Sequence, residues 1–353
     1  MPAPELLHGL LTAAGPSGHE TDPARVWREG CAAFAGEVAA DHVGSSLARV
    51  SGTVSDGLTL AVIGHIDEIG VHVSHIDDDG YLRFGEVGGW DPLVLVGQRI
   101  RIATRAGSIP GVIGRKPIHL MKGPDREKVP AIKDLHIDIG AKDSEQAREL
   151  VRVGDVGVID AEPIEMPNQR LVSRALDNRI GCYVAARAAQ LVAEAGGAPG
   201  DVVALAVAQE ETTFAGARAS AFALQPDLAI VVDVTFATDQ PGIDLGPITR
   251  HPLDSGPVIA RGTALHPRVS ELLHDTAERE GLPFTVESLG RMTGTDADAV
   301  HISRAGIPTG LVSIPIRYMH SPVELASLAD IEAGAKLIAA FAQALEPSMS
   351  FAR

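Results

Sequence analysis

The chain has 353 residues, 45% hydrophobic and 22% charged, with a formal net charge of −16. That size and apolar content can fill a substantial core and leave room for two domains. The acidity argues against a nucleic-acid partner, which needs a basic face, and no apolar stretch reaches the length of a membrane span.

Residues 1 to about 67 read as helix, helix, strand, strand. Leu6 to Ala13 is a short amphipathic segment stopped by Gly15-Pro16-Ser17-Gly18. A second helix runs from Pro23 towards Phe34, and short extended pieces follow between Val38 and Val50. The apolar run Leu58 to Gly64 then leads into His65-Ile66-Asp67-Glu68. From Gly70 to Met166 the texture changes to short alternating runs, among them Val71 to Val73, Tyr81 to Phe84, Leu93 to Val96, Arg99 to Ile102, Gly111 to Gly114, His136 to Ile139 and Val156 to Ile159. Turns such as Asp77-Asp78-Asp79-Gly80 separate them, and that spacing is the signature of a small β-barrel. One helix, Ser144 to Leu150, interrupts the block.

From Arg170 onward strands and helices alternate, as in an α/β layout with a predominantly parallel sheet. Helices are expected at 178–195, 216–224, 266–280, 297–305 and 325–345. The apolar strands end in Asp177-Asn178, Gln209-Glu210-Glu211, Asp233, and, through Ile316-Arg317-Tyr318-Met319, His320. Because His65 precedes the β-rich block and Asp177 follows it, the block is read as a domain inserted at 70–166 into a discontinuous catalytic domain, 1–69 and 167–353.

Carboxylates at the ends of buried parallel strands are costly unless something cationic meets them, and open α/β sheets place their sites there. Each residue alone has a structural explanation: a core histidine, a helix cap, a turn. Five such ends presenting His, Asp or Glu point instead to a common site. Two histidines, carboxylates and no cysteine form a nitrogen–oxygen donor set suited to zinc, cobalt or manganese. Five donors exceed what one catalytic zinc takes, whereas two ions roughly 3.5–4 Å apart need about that many.

Gly64-His65-Ile66-Asp67-Glu68-Ile69-Gly70, Ala175-Leu176-Asp177-Asn178-Arg179, Gln209-Glu210-Glu211, Asp233-Val234-Thr235 and Tyr318-Met319-His320-Ser321-Pro322-Val323-Glu324 together resemble the motifs of the tetrahedral aminopeptidases, di-metal exopeptidases that include glutamyl, leucyl and lysyl types. The resemblance covers nearly the whole chain. It implies two divalent ions per subunit, zinc first and cobalt or manganese next, with Asp177 bridging them. His65 and Asp233 would complete one site, Glu211 and His320 the other, with Glu210 as general base and Asp67 orienting His65. The residue types agree: an Asp two residues after a donor His can fix its tautomer, and a Glu beside a donor Glu can reach the activated water. The resemblance further implies peptide substrates and dimers, formed through the insert, that build a dodecamer. Trp90, Leu93, Leu95, Ile118, Leu120 and Met121 are candidates for that interface.

Two other functions stay open: a di-metal deacylase of N-acylated amino acids, and a catalytically silent assembly or peptide-binding protein. The chain departs from the family pattern at Thr212 to Ala217 and Arg250 to Pro257, so the preferred N-terminal residue is open, with Phe214 and Phe236 leaning it towards neutral aliphatic side chains. Arg317 is expected to bind substrate or to pair with a donor carboxylate. His72, His75, His119 and His136 are read as surface or interface residues. A start of Met1-Pro2-Ala3-Pro4-Glu5 without a basic and apolar leader, and two isolated cysteines, Cys31 and Cys182, lead to the expectation of a cytoplasmic protein.

Overall fold

A computed structural model describes residues 2–246 and 248–352. Four strands, Val202–Val207, Leu60–His65, Leu228–Phe236 and Thr309–Arg317, lie side by side in that order, all parallel. Their near-continuous apolar sequences follow from burial on both faces. Leu60 and Val62 point into one core, with Trp27, Ile180 and Leu228, while the alternate residues Ala61 and Ile63 point into another, with Ala217, Val300 and Leu311. Helices Leu176–Glu194 and Leu328–Gln343 cover the first face, and Ala215–Leu224 and Ala297–Val300 the second. Each fully buried Val, Leu or Ile contributes about 1.5–3 kcal/mol to holding these layers together.

Antiparallel strands flank the parallel core: Ser46–Val50 and Glu37–Ala40 on one side, Glu324–Ser327, Arg170–Ser173 and Ile164–Met166 on the other. Val258–Gly262 pairs antiparallel with Thr309–Arg317 through Val258 and Ile259, and carries Thr285–Leu289 in parallel on its other edge. Six strands between 70 and 159 form a closed barrel: Gly70–Ile76, Leu82–Val87, Leu135–Asp138, Gly107–Arg115, Arg99–Thr104 and Val156–Ile159. Its interior is filled by Val71, Leu82, Ile100, Ile102, Ile113 and Ile137, and closure leaves no free strand edge.

The structure differs from sequence expectation in several places, and the helix expected at 297–305 is only Ala297–Val300. Leu93 to Val96 is not extended: Pro92–Leu95 is a helical turn, because Asp91 caps it by accepting from the Leu93 N–H and Pro92 fits the first helical position. Leu95 is accordingly buried in the barrel core rather than offered to a partner, and Trp90 is held inward by its Nε1–H on Gly70 O, 2.8 Å. The segment from Leu325 begins as strand Glu324–Ser327, and its helix starts only at Leu328. Strands Val258–Gly262 and Thr285–Leu289 were not visible as sequence patterns, and Ile164–Met166 pairs into the large sheet.

One glycine sets the position of the site. A Cβ on Gly64 would lie 2.4 Å from the Gly181 carbonyl carbon, so helix Leu176–Glu194 packs directly on the backbone of strand Leu60–His65. That contact brings the start of the helix, with Asp177, beside His65.

Candidate active site

The C-terminal ends of the parallel strands gather the donor residues, where open α/β sheets place ligands. His65 ends its strand, Glu210 and Glu211 follow Val202–Val207, and Asp233 lies within Leu228–Phe236 beside Ser313. Asp177 stands at the entry of its helix, after Ala175 in a left-handed conformation and before a cis peptide to Asn178. His320 sits in the turn after Thr309–Arg317, itself left-handed with φ 57°. All five expected donors converge, as does Glu210.

Asp177 is at the centre. Its Oδ1 is 3.2 Å from His65 Nε2 and its Oδ2 is 3.4 Å from His320 Nε2. Asp233 Oδ1 lies 3.9 Å from His65 Nε2, Glu210 Oε2 3.8 Å from the same atom, and Glu211 Oε1 3.4 Å from His320 Nε2. Two donor clusters result, His65–Asp177–Asp233 and Asp177–Glu211–His320, each with its atoms within 4.8 Å of one another, sharing Asp177. A third grouping, His65–Glu210–Glu211, overlaps both.

Each imidazole is oriented by its far nitrogen. His65 Nδ1 faces the backbone oxygen of Asp67 at 3.2 Å and the Asp67 carboxylate at 3.4 Å. His320 Nδ1 faces Gly89 O at 2.8 Å, a contact supplied by the barrel segment. Donation from Nδ1 leaves both Nε2 atoms free to bind a metal.

The electrostatics fit a cation site. Burial first, and then Asp233, Asp296 and Glu211, push the Glu210 carboxyl up to about 10 despite His65. Burial and Asp177 push Asp233 well above the carboxylate range, and Glu211 is raised for the same reasons. Against burial, hydrogen bonds from His320 and His65 hold Asp177 well below that range. Asp177 and Glu211 drive His320 up to about 11, and Glu210, Asp177 and Asp67 outweigh burial to raise His65. So many buried acidic groups demand positive charge. Divalent ions meet that demand and would leave the imidazole nitrogens unprotonated as donors. The donor set, all nitrogen and oxygen, therefore fits such ions.

Several supporting residues carried no assigned role in the sequence, and Asp67 does more than orient His65. Glu324 accepts from the Asp177 N–H at 3.0 Å and the His320 N–H at 2.9 Å, tying two donors to one buried carboxylate. Asp67 does the same for the glutamates, accepting from the N–H groups of Glu210 at 3.0 Å and Glu211 at 3.1 Å. Glu68, also buried, pairs with Arg174, with Arg179 at 3.1 Å and with the Gly15 N–H at 3.0 Å, pinning the first loop under the strand end. Asp296 is fully buried behind the site, its Oδ1 without a hydrogen-bond partner, and burial with Asp67 raises its carboxyl to about 7. Glu68 and Glu324 both stand inside the motif segments, which was the available signal. Asp296 belongs to Gly294-Thr295-Asp296-Ala297, a segment whose sequence suits either lining a pocket or capping the next helix; Gly89 had no signal.

Other expectations resolve differently. Arg317 neither faces a donor carboxylate nor lies open: it forms a two-pronged pair with Asp239 at 3.2 and 2.7 Å. Phe214 packs on the core of the second sheet face, so only Phe236 borders the cavity beside the site. Thr293, Gly294 and Thr295 line that cavity. None of the barrel histidines His72, His75, His119 and His136 belongs to a metal-competent group among the described residues.

The large sheet is mixed rather than predominantly parallel, with a parallel core of four strands inside antiparallel flanks, and this donor set at the ends of the parallel core suits metal-assisted hydrolysis. Residues 44–337 match the family described as M42 glutamyl aminopeptidase. A lysyl aminopeptidase of Pyrococcus furiosus is 36% identical over 350 residues, covering 97% of this chain and 97% of that protein. The crystal structure of the TET aminopeptidase from the marine sediment archaeon Thaumarchaeota archaeon SCGC AB-539-E09 superposes with a TM-score of 0.91 at 33% identity, over 97% and 96% of the two chains. The Pyrococcus horikoshii TET1 peptidase, which can assemble into a tetrahedron or a large octahedral shell, gives a TM-score of 0.85 at 30% identity, over 97% and 99%. The chain belongs to the M42 glutamyl aminopeptidase family and is a peptide hydrolase of aminopeptidase type. Membership implies divalent metal ions. No helix among the described residues is long and apolar enough to cross a membrane.

Proposed function

We propose that the protein removes N-terminal amino acids from peptides with two divalent ions, zinc in first place, held by His65, Asp177, Glu211, Asp233 and His320. The observation that carries this reading is the placement of Asp177, whose two oxygens face different histidines. Divalent ions held there would supply Lewis acidity, polarising the scissile carbonyl and acidifying water. Glu210 lies beside His65 at 3.8 Å, on the rim of both donor clusters, and takes the proton from the attacking water. The same carboxyl then returns it to the leaving amine. Asp67 fixes Glu210 and Glu211 through their N–H groups, and Gly89 fixes the His320 ring.

The division into a catalytic domain, 1–69 and 167–353, and an insert, 70–166, belongs to the same reading. It is supported by the confinement of all barrel strands to 70–159, with the return point drawn back to 160–163 by the pairing of Ile164–Met166. The exposed barrel residues Leu93, Ile118 and Leu120 are suited to joining two copies, as a first step towards a dodecamer. Assembly of the Pyrococcus horikoshii relative supports this, and light scattering tests it. Free buried thiols at Cys31 and Cys182 are in keeping with a reducing cytoplasm.

Aminoacyl chromogenic substrates assayed after chelation, and again after adding zinc, cobalt or manganese, test the reaction. Activity should vanish and return with metal. Hydrolysis by fully metal-free protein, or preference for N-acetylated over free-amine substrates, would overturn the reading.

A further inference from the structure

The cavity beside the donor residues contains a carboxylate for which neither the metal site nor the fold has a use. Glu287, on strand Thr285–Leu289, lines this space of about 420 Å³ together with Thr235, Leu289, Leu311, Ser313 and Met319. Strand pairing sets the distance to the site: Asp233 stands beside Ser313, Ser313 pairs with Val258, and Val258 stands beside Thr285, two residues before Glu287. From there the Glu287 side chain leans back over the sheet. Its Oε1 comes within 3.5 Å of Ser313 Oγ and its Oε2 within 3.4 Å of Thr235 Oγ1.

Those two long contacts with neutral hydroxyls are its polar partners among the described residues, and no basic side chain faces it. Burial raises its carboxyl above the usual range, which the two hydroxyls only partly oppose. A half-buried carboxylate without a cation is costly, and a cationic ligand group removes that cost. The neighbouring walls, Leu289, Leu311 and Met319, are apolar. A lysine or arginine side chain has this composition in reverse, an apolar stem ending in a charged head. An acidic side chain would meet repulsion from Glu287, and a short aliphatic one would desolvate it without offering a partner.

We propose that Glu287 is the specificity-determining residue of this cavity and selects peptides with a basic N-terminal residue, lysine or arginine. The proposal rests on the aminopeptidase reading and refines it, replacing the lean towards aliphatic residues that Phe214 and Phe236 suggested. Phe214 is not in the cavity, and Phe236 borders it without displacing the carboxylate.

The test is an initial-rate panel of Lys-, Arg-, Leu- and Glu-p-nitroanilides with the metal-loaded protein, its Glu287→Gln variant and the charge-reversed Glu287→Lys. For the parent, kcat/KM on Lys or Arg should exceed that on Leu by about 10-fold or more, the scale of a charged group meeting its partner. Glu287→Gln should lower the Lys-to-Leu ratio by about 10- to 100-fold, mainly through KM. Glu287→Lys should raise the Glu-to-Lys ratio. A parent that prefers Leu or Glu, or an unchanged ratio in Glu287→Gln, overturns the proposal while leaving aminopeptidase activity in place. Absence of hydrolysis across the whole panel overturns the aminopeptidase reading and this proposal with it. Should both variants misfold, the preference of the parent decides alone.

Discussion

Asp67→Asn is the sharpest perturbation of the candidate site that leaves every proposed metal donor in place. The Asp67 carboxylate is completely buried, and against that burial the His65 ring and the N–H groups of Glu210 and Glu211 hold it below the usual range, as an ionised acceptor. Its two oxygens take one glutamate N–H each, at 3.0 and 3.1 Å. Asparagine keeps the shape but replaces one acceptor with an NH2 group, so one of these N–H groups must face a donor. A hydrogen bond to a charged group is worth about 1.5–3 kcal/mol, and water cannot enter to replace it. Glu210 and Glu211 would shift to relieve the clash, and at 1.36 kcal/mol per factor of ten kcat/KM should fall about 10- to 100-fold. Metal affinity should fall over a similar range, as when the support of a donor is cut elsewhere. Asp67→Ala loses both acceptors and should cost about twice the free energy, roughly 3–6 kcal/mol. The assay is kcat/KM on an aminoacyl substrate alongside a metal-binding isotherm of the chelated protein. An Asp67→Asn variant within a factor of about 2 of the parent in both would refute the positioning role.

Glu210→Gln should retain its metal content and lose about 10²- to 10⁴-fold in kcat, checked by elemental analysis beside kinetics; a normal rate removes Glu210 as the base. Asp177→Ala should abolish binding of both ions rather than one, measured as metal per chain after gel filtration, whereas retention of a single ion would disprove the bridge. Glu68→Ala leaves the buried Arg174 and Arg179 without their carboxylate and should destabilise the fold by about 3–5 kcal/mol in denaturant unfolding. Gly64→Ala forces a methyl against the Gly181 backbone at 2.4 Å, and should cost at least about 1–3 kcal/mol while weakening activity, since the same shift parts His65 from Asp177. A fully active, equally stable Gly64→Ala protein would show that the helix has slack there.

Local patterns made much of the architecture legible. Runs such as Leu60 to Ile63 and Val202–Val207 are apolar at every position because helices cover both faces, so their strand character and ends stand out without any partner being known. The barrel strands announce themselves through alternation, with Ile100 and Ile102 inward and Arg99 and Arg101 more exposed. Where the pattern was short, local chemistry competed: Leu93 to Val96 has strand composition, but Asp91-Pro92 starts a helical turn. Val258–Gly262 and Thr285–Leu289 escaped notice because their register is set by Thr309–Arg317 and by each other rather than by a clear period of their own.

The sequence by itself offered the candidate donors, because an acidic or imidazole side chain near the end of a buried strand is too costly to be incidental. Asp233 nonetheless proves to lie inside its strand and His320 in the turn beyond its own. Only the tertiary structure decided how they are shared and supported. That Asp177 lies between His65 and His320 follows from a helix seated on Gly64, and that Glu324 grips both Asp177 and His320 follows from the turn between two strands. The His320–Gly89 hydrogen bond joins segments 231 residues apart, and Glu287 reaches Ser313 and Thr235 only because a strand pairs at that register. Periodicity and propensity act over a few residues and therefore appear in the sequence. Partners of buried polar groups are chosen by packing between distant segments, and that choice is made only when the chain folds.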